Sequence, residues 1–242
     1  MECVNSCGLD REKCISWLKE NCSTAKFQGR KLDTKKGLLV CATEAGHSAC
    51  ILEVNCQTDF AAMSTNFVQF AAGLQKHLRS TEWREQDELL HSVRHAAADS
   101  IQLLCSQLKE DIQISQLRAL RAPPQSTGQS VFGSYQHMLG GEHTPGIGHI
   151  AAIIQLASSN PLAHDKLQQA QSVADGICRH MVATSGMYDL TTTTNKESTV
   201  SRFDKPLEDQ RFMGEGASVK EWMQQEVGAD IRIIDYDVRR VR

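Results

Sequence analysis

The sequence predicts an α+β fold of two similar subdomains, each an antiparallel sheet packed on helices. Three observations lead there. β-rich runs at 37–43 and 48–55 flank a short turn that contains Gly46. After Phe60 the apolar spacing changes to the three-and-four rhythm of helices. Beyond an Ala-Pro-Pro-Gln-Ser-Thr-Gly break at 122–128, the same order of elements recurs.

Residues 1–22 read as a short helical piece, with Asp10 as cap and Cys14, Ile15 and Leu18 on one face. They hold too few apolar residues for an independent domain. Residues 23–36 are polar and lysine-rich and read as a linker. Gly37–Thr43 and Ser48–Asn55 then form a hairpin across Glu44–His47, where Gly46 is free to take a positive φ. Phe67, Phe70, Ala71, Leu74 and Leu78 make one helical stripe. Leu90, Val93, Ala97, Ile101, Leu104 and Leu108 make a second, and Ile112 and Ile114 alternate as a short strand. This completes a first subdomain over 37–122.

The second subdomain, 123–242, repeats the plan. Val131–Met138 reads as a strand, 140–148 as a Gly/Pro loop and His149–Ala157 as an apolar strand. Asn160 is placed to cap a helix with Pro161 at its first position, where a missing N–H costs nothing. Leu167, Ala170, Ala174, Ile177 and Met181 form its buried stripe. The polar tract 191–199 reads as a loop, and Ser218-Val-Lys-Glu221 as a capping box that opens a short helix. Ile231, Ile233 and Tyr236 lie in a closing strand.

Composition narrows the function classes. Hydrophobic residues make up 40% and aromatic residues 5%, so aliphatic side chains must fill the core. A net charge of −3 argues against a bulk electrostatic nucleic-acid binder and toward a protein partner or small ligand. The nine cysteines include no C-x-x-C pair and read as reduced, structural thiols. No apolar run approaches the roughly 18–20 residues that span a bilayer, so no membrane association is expected. The start at Met1 shows neither a signal peptide nor an Arg/Ser-rich transit peptide.

Few local patterns suggest chemistry. Asp87, His91 and His95 share a predicted helix face, which reads either as a metal-ligating face or, better, as a solvated one. Cys3 and Cys7 have the same spacing and the same reading. Gly140–Gly148 is glycine-rich, but it runs into a strand rather than a helix N-terminus and carries no Gly-Lys-Ser/Thr, so a phosphate loop is disfavoured. No Gly-x-Ser-x-Gly elbow occurs. No catalytic residue, metal site or cofactor is expected. At the first strand–helix junction, Thr58 or Asp59 suits an N-cap, and on spacing alone Phe60 reads as a core or staple residue.

The whole segment Ile51-Leu-Glu-Val-Asn-Cys-Gln-Thr-Asp-Phe60 resembles the signature of elongation factor Ts, over ten contiguous residues. Further resemblances follow in family order. Met1-Glu2-Cys3 and Asp10–Leu18 resemble the end of an N-terminal ubiquitin-associated-like (UBA-like) helical module, incomplete here. Glu110–Ile114, Gly133–His137, Gln210–Phe212 and Ser218–Glu221 resemble segments around later strands.

The resemblance implies a guanine-nucleotide exchange factor for the translational GTPase elongation factor Tu. Such a factor binds the GDP-bound form, passes through a nucleotide-free complex, and makes or breaks no covalent bond. It implies that Asp59 and Phe60 are a wedge near the partner's magnesium and phosphate site, with Thr58, Leu108 and His137 as further partner-binding residues. His137 reads equally as an exposed histidine at a strand end. A 1:1 heterodimer is expected, without direct nucleic-acid contact.

Some positions depart from the family pattern. Lys109 stands where a glycine is usual, Arg211 where a proline is usual, and 140–148 is longer than the family's turn. The helical hairpin of many bacterial members has no counterpart in 185–217, and their C-terminal helix none after Arg242. That leaner form resembles mitochondrial members, which implies the mitochondrial matrix, with bacterial cytoplasm or plastid as alternatives. The departures also leave room for a degenerate homologue that serves as scaffold or chaperone for the GTPase or a ribosomal assembly.

Overall fold

The computed structural model describes residues 8, 10, 12–14, 16–17, 36–44, 46–122, 128–140, 143–185, 206–213, 216–228 and 230–241. Expectations for Met1–Cys3, Cys7, the linker before Lys36 and the 191–199 tract lie outside them. At the N-terminus the Asp10 carboxylate accepts from the amides of Glu12 and Lys13, as a helix cap does.

Among the described residues, seven strands and five α-helices follow: β1 (Lys36–Glu44), β2 (Ser48–Cys56), α1 (Asp59–Ala62), α2 (Thr65–Ser80), α3 (Gln86–Leu108), β3 (Gln113–Arg121), β4 (Gln129–His137), β5 (Ile147–Gly148), β6 (Ile150–Ser158), α4 (His164–Ser185), α5 (Val219–Glu226) and β7 (Ile231–Arg240). A 3₁₀ turn at Leu207–Asp209 precedes α5. The expected α+β class with antiparallel sheets holds. One sheet has the order β3-β2-β1-β5 and the other β4-β6-β7. The shared plan is visible in the pairing. In each half a first strand pairs with a second, whose other edge takes the last strand. Both halves also break register where the last strand meets the middle one, opposite Glu53/Val54 and Gln155/Leu156.

Strand alternation sorts the core into layers. Leu38, Val40, Leu52 and Val54 pack with Phe67, Leu74, Leu89 and Val93 of α2 and α3. The opposite faces of β1 and β2, through Leu39, Cys41 and Ile51, meet Phe132, Ala151 and Ile153 of the second sheet. Ala152, Ile154 and Leu156 then face Ala170, Ala174 and Ile177 of α4. The two sheets are therefore stacked, helices outside. Thr43 Oγ1 donates to Ser134 Oγ across the stack at 2.8 Å, and Arg118 pairs with Asp235.

Several elements differ from the sequence expectation. β3 is nine residues long, not a short strand at 112–114. The bulge opposite Glu53/Val54 shifts the phase by one, so Leu117 follows Ile114 on the helix-covered face, while Leu120 is buried on the opposite face against the second sheet. The loop over 140–148 ends in β5, which pairs with Leu39 and Val40 of β1. On α3 the buried stripe begins at Leu89, with Leu90 only partly buried. α4 starts at His164 rather than at Pro161. Asn160 does not cap it: its side-chain amide donates to Asp230 at 3.2 Å, and Leu167 N–H donates to the carbonyl of Ala163. The capping box of α5 is present, with Ser218 N–H donating to Glu221 at 2.8 Å and Glu221 N–H to Ser218 Oγ at 3.2 Å.

α3 ends on Lys109, which takes φ 60° and donates its N–H to Cys105 O at 2.9 Å. This left-handed stop favours glycine, because a Cβ there crowds the following carbonyl. The backbone at Lys109 thus suits the glycine that the resemblance leads one to expect there. Lys109→Gly is expected to stabilise the fold by about 1 kcal/mol, read as a higher urea midpoint with unchanged m-value. An unchanged midpoint would show that the turn carries no such strain.

In the second half, buried His180 ties down the segment before α5. Met213 N–H donates to Nδ1 at 3.3 Å, so Nε2 carries the proton toward Gln210 Oε1 at 3.0 Å. Phe212 stacks on Trp222 beside it, ring centroids 3.7 Å apart. Burial depresses the His180 pKa, partly opposed by the Gln210 hydrogen bond. The unfolded chain then takes up the proton first, so stability should be full above about pH 6.5 and fall as pH drops toward the lower native value. Melting temperatures between about pH 7.5 and 5.5 check this, and His180→Gln should flatten the slope.

Candidate functional site

The first hairpin delivers the chain to a tip at Thr58–Met63. Thr58 is extended and its hydroxyl accepts from Ala61 N–H at 3.1 Å, which caps the four-residue α1. Ala61 and Ala62 turn inward and are buried. Phe60 points the other way and is 87% exposed, so it is neither a core nor a staple residue. Met63 and Leu139 are also about half exposed, and Met63 reaches the next turn, where a Cβ on Gly140 would stand 3.4 Å from its Cε. Asp59 pairs with Lys36 at 3.1 Å on the surface.

The tip is anchored from the far end of α3. Glu110 Oε2 accepts from the amides of Gln57 at 3.0 Å and Thr58 at 3.1 Å. Its other oxygen accepts from the Thr58 hydroxyl. Asp111 accepts from the Gln57 side chain at 3.4 Å. Sequence reasoning missed Glu110 as a site residue. The available signal was its place in the Glu110–Ile114 segment, directly after the Lys109 turn. Leu108, one residue before that turn, is partly buried against the first core.

His137 ends β4 and is exposed. Its carbonyl accepts from His149 N–H at 2.8 Å, and His149 Nδ1 accepts from Leu139 N–H at 3.1 Å. His149 is half-buried. Burial depresses its pKa, Asp59 opposes that shift and His137 adds to it. Asp59 of the tip and His137 of the second sheet therefore bear on the same imidazole. Thr58, Asp59 and Phe60 share one capped turn, tied to Glu110 two residues after Leu108.

The other sequence candidates gather less. His91 and His95 stack with ring centroids 6.5 Å apart. Among the described residues no group of three or more His, Cys, Asp or Glu is placed to hold a metal. Cys41, Cys50, Cys56 and Cys178 are buried thiols. Burial pushes Cys50 and Cys56 up to about 12, so both stay protonated at neutral pH. No helix among the described residues is long and apolar enough to cross a membrane.

A family model described as Elongation factor TS matches residues 57–224, a span that begins at the tip and takes in Leu108 and His137. The chain is 30% identical over 166 residues to "Elongation factor Ts, mitochondrial 2" of Paramecium tetraurelia, covering 69% of this chain and 53% of that one. It is 27% identical over 184 residues to "Elongation factor Ts 1, mitochondrial" of Trypanosoma cruzi, covering 73% and 64%. A bacterial "Elongation factor Ts", from Clostridium kluyveri, is 27% identical over 199 residues, covering 78% and 58%. The matches span between about half and two thirds of these relatives' lengths.

Proposed function

The chain belongs to the elongation factor Ts family, and from that premise we propose that it is a guanine-nucleotide exchange factor for elongation factor Tu. The observation that carries this reading is Phe60, held out in water on a capped and anchored turn. Burying such a side chain is worth about 1.5–3 kcal/mol, which only a partner can supply here. We assign Asp59 and Phe60 the role of a wedge beside the partner's magnesium and phosphate site. Packed elements are bistable, so a compact aromatic pushed between two of them moves them by a step. Displacing the groups that hold magnesium weakens nucleotide binding. Thr58 caps the turn, while Leu108 and His137 flank it as further contacts.

The process is linkage. A factor that prefers the empty GTPase weakens nucleotide by the same coupling free energy with which nucleotide weakens the factor. We assign the pair a 1:1 stoichiometry and, on the mitochondrial relatives, a mitochondrial location, with bacterial cytoplasm as the alternative that the bacterial relative supports. The first subdomain, 37–122, would present the wedge, and the second, 123–242, would add His137.

The test is release of fluorescent GDP from elongation factor Tu. The chain should accelerate it, and excess GDP with magnesium should dissociate the complex. Tight binding without faster release would instead favour the scaffold or chaperone role.

A further inference from the structure

We propose that Glu110 is the positioning residue of the wedge, fixing the Gln57–Thr58 backbone so that Phe60 is presented in one orientation before any partner arrives. The inference rests on the exchange reading of Thr58–Phe60. α1 has four residues, too few to hold its own shape by helix formation. Phe60 is almost wholly exposed, so its own packing does little to orient it. The Lys36–Asp59 pair is exposed and screened, and such pairs contribute little. The Glu110 carboxylate instead takes three donors: two consecutive amides and the hydroxyl of the capping residue.

Charge-assisted bonds of this kind are the stronger ones, and three on one carboxylate fix direction as well as distance. The Thr58 hydroxyl joins two jobs, donating to Glu110 while accepting from Ala61 N–H. The left-handed turn at Lys109 sets the path of the chain into Glu110. The wedge is thereby coupled to the end of α3. Without the clamp, water would take over the two amides and the turn would sample several orientations. Each would have to be sorted at the moment of binding, which costs affinity and rate.

The experiment measures the maximal rate of GDP release from elongation factor Tu at saturating chain. Wild type is compared with Glu110→Ala, Glu110→Gln, Phe60→Ala and the Phe60→Ala/Glu110→Ala double variant. Glu110→Ala is expected to lower the rate about tenfold or more. Glu110→Gln should keep most of it, since its oxygen can accept from both amides and its NH₂ can donate to the Thr58 hydroxyl. In the Phe60→Ala background, Glu110→Ala should change nothing further. If Glu110→Ala does not fold, Glu110→Asp, too short to span all three donors, replaces it with the same expectation.

Three results would overturn the inference: a wild-type rate in Glu110→Ala, an equal loss in both backgrounds, or Gln as impaired as Ala. The last would mean that acceptor geometry alone does not set the turn. If Phe60→Ala exchanges like wild type, the wedge reading falls and this inference with it. Impairment of Phe60→Ala alone sinks only the role of Glu110.

Discussion

Phe60→Ala is expected to slow stimulated GDP release by between about ten- and a hundredfold, the equivalent of losing one aromatic burial. Its melting temperature should stay within about 2 °C of wild type, because an exposed substitution away from the core costs about 0.5 kcal/mol at most. The two halves of this result separate two readings of one residue. A core phenylalanine replaced by alanine loses about 3–5 kcal/mol of stability. At 87% exposure Phe60 has no such packing to lose in the free chain. A large drop in melting temperature with exchange retained would return Phe60 to the core and remove the wedge.

The second large effect lies far from the tip. Gly133 sits in β4 where α4 crosses it, and a Cβ there would stand 2.5 Å from the backbone carbon of Ala174 and 2.7 Å from its Cβ. Neither atom is the flexible end of a side chain, so the helix or the strand must shift. Gly133→Ala is expected to cost about 2–3 kcal/mol through overpacking. For a chain of this size that corresponds to a melting point lower by about 5–10 °C. A wild-type melting point would mean that α4 is free to slide on the sheet. The helix also grips β4 through Asp175, which accepts from Ser134 N–H at 3.0 Å, and Gln171, which donates to Phe132 O at 2.8 Å. Because β4 ends at His137, a shifted helix should also weaken partner binding.

What the sequence made legible was mostly local. The Ser218–Glu221 box, the Gly46 turn and the buried stripe of α2 depend on neighbours a few residues apart, and they stand largely as expected. Elements set by distant partners were hidden. β3 looked short because the bulge breaks its alternation after Ile114, and because Leu117 and Leu120 are then buried on opposite faces of the sheet. β5 has two residues, too few for any period, and exists only because β1 offers it an edge. Asn160 has the chemistry of a cap, but Asp230, seventy positions away, takes its side chain.

The site followed the same division. Thr58 as a cap could be read from its place before a helix. Which way Phe60 faces could not, since an apolar residue in the first turn suits either side. The resemblance of residues 51–60 to a family pointed outward where spacing pointed inward. Glu110 was silent because its three donors lie more than fifty positions earlier. Lys109 stood out as a departure, and its φ of 60° gives the reason a glycine is the easier residue there.

The two-residue strand β5 also dictates an order of events at the ribosome. β1, β2 and β3 are complete once Arg121 has emerged, yet the outer edge of β1 still presents unpaired backbone groups. On that edge Leu39 and Val40 gain their strand partners only when Ile147 and Gly148 arrive, with β4 already made. For the synthesis of some 26 residues the nascent first sheet therefore carries an open, apolar flank, the kind of surface that recruits strangers. The peptide that pairs with it belongs to the other half of the molecule, so the first half alone does not finish its own sheet.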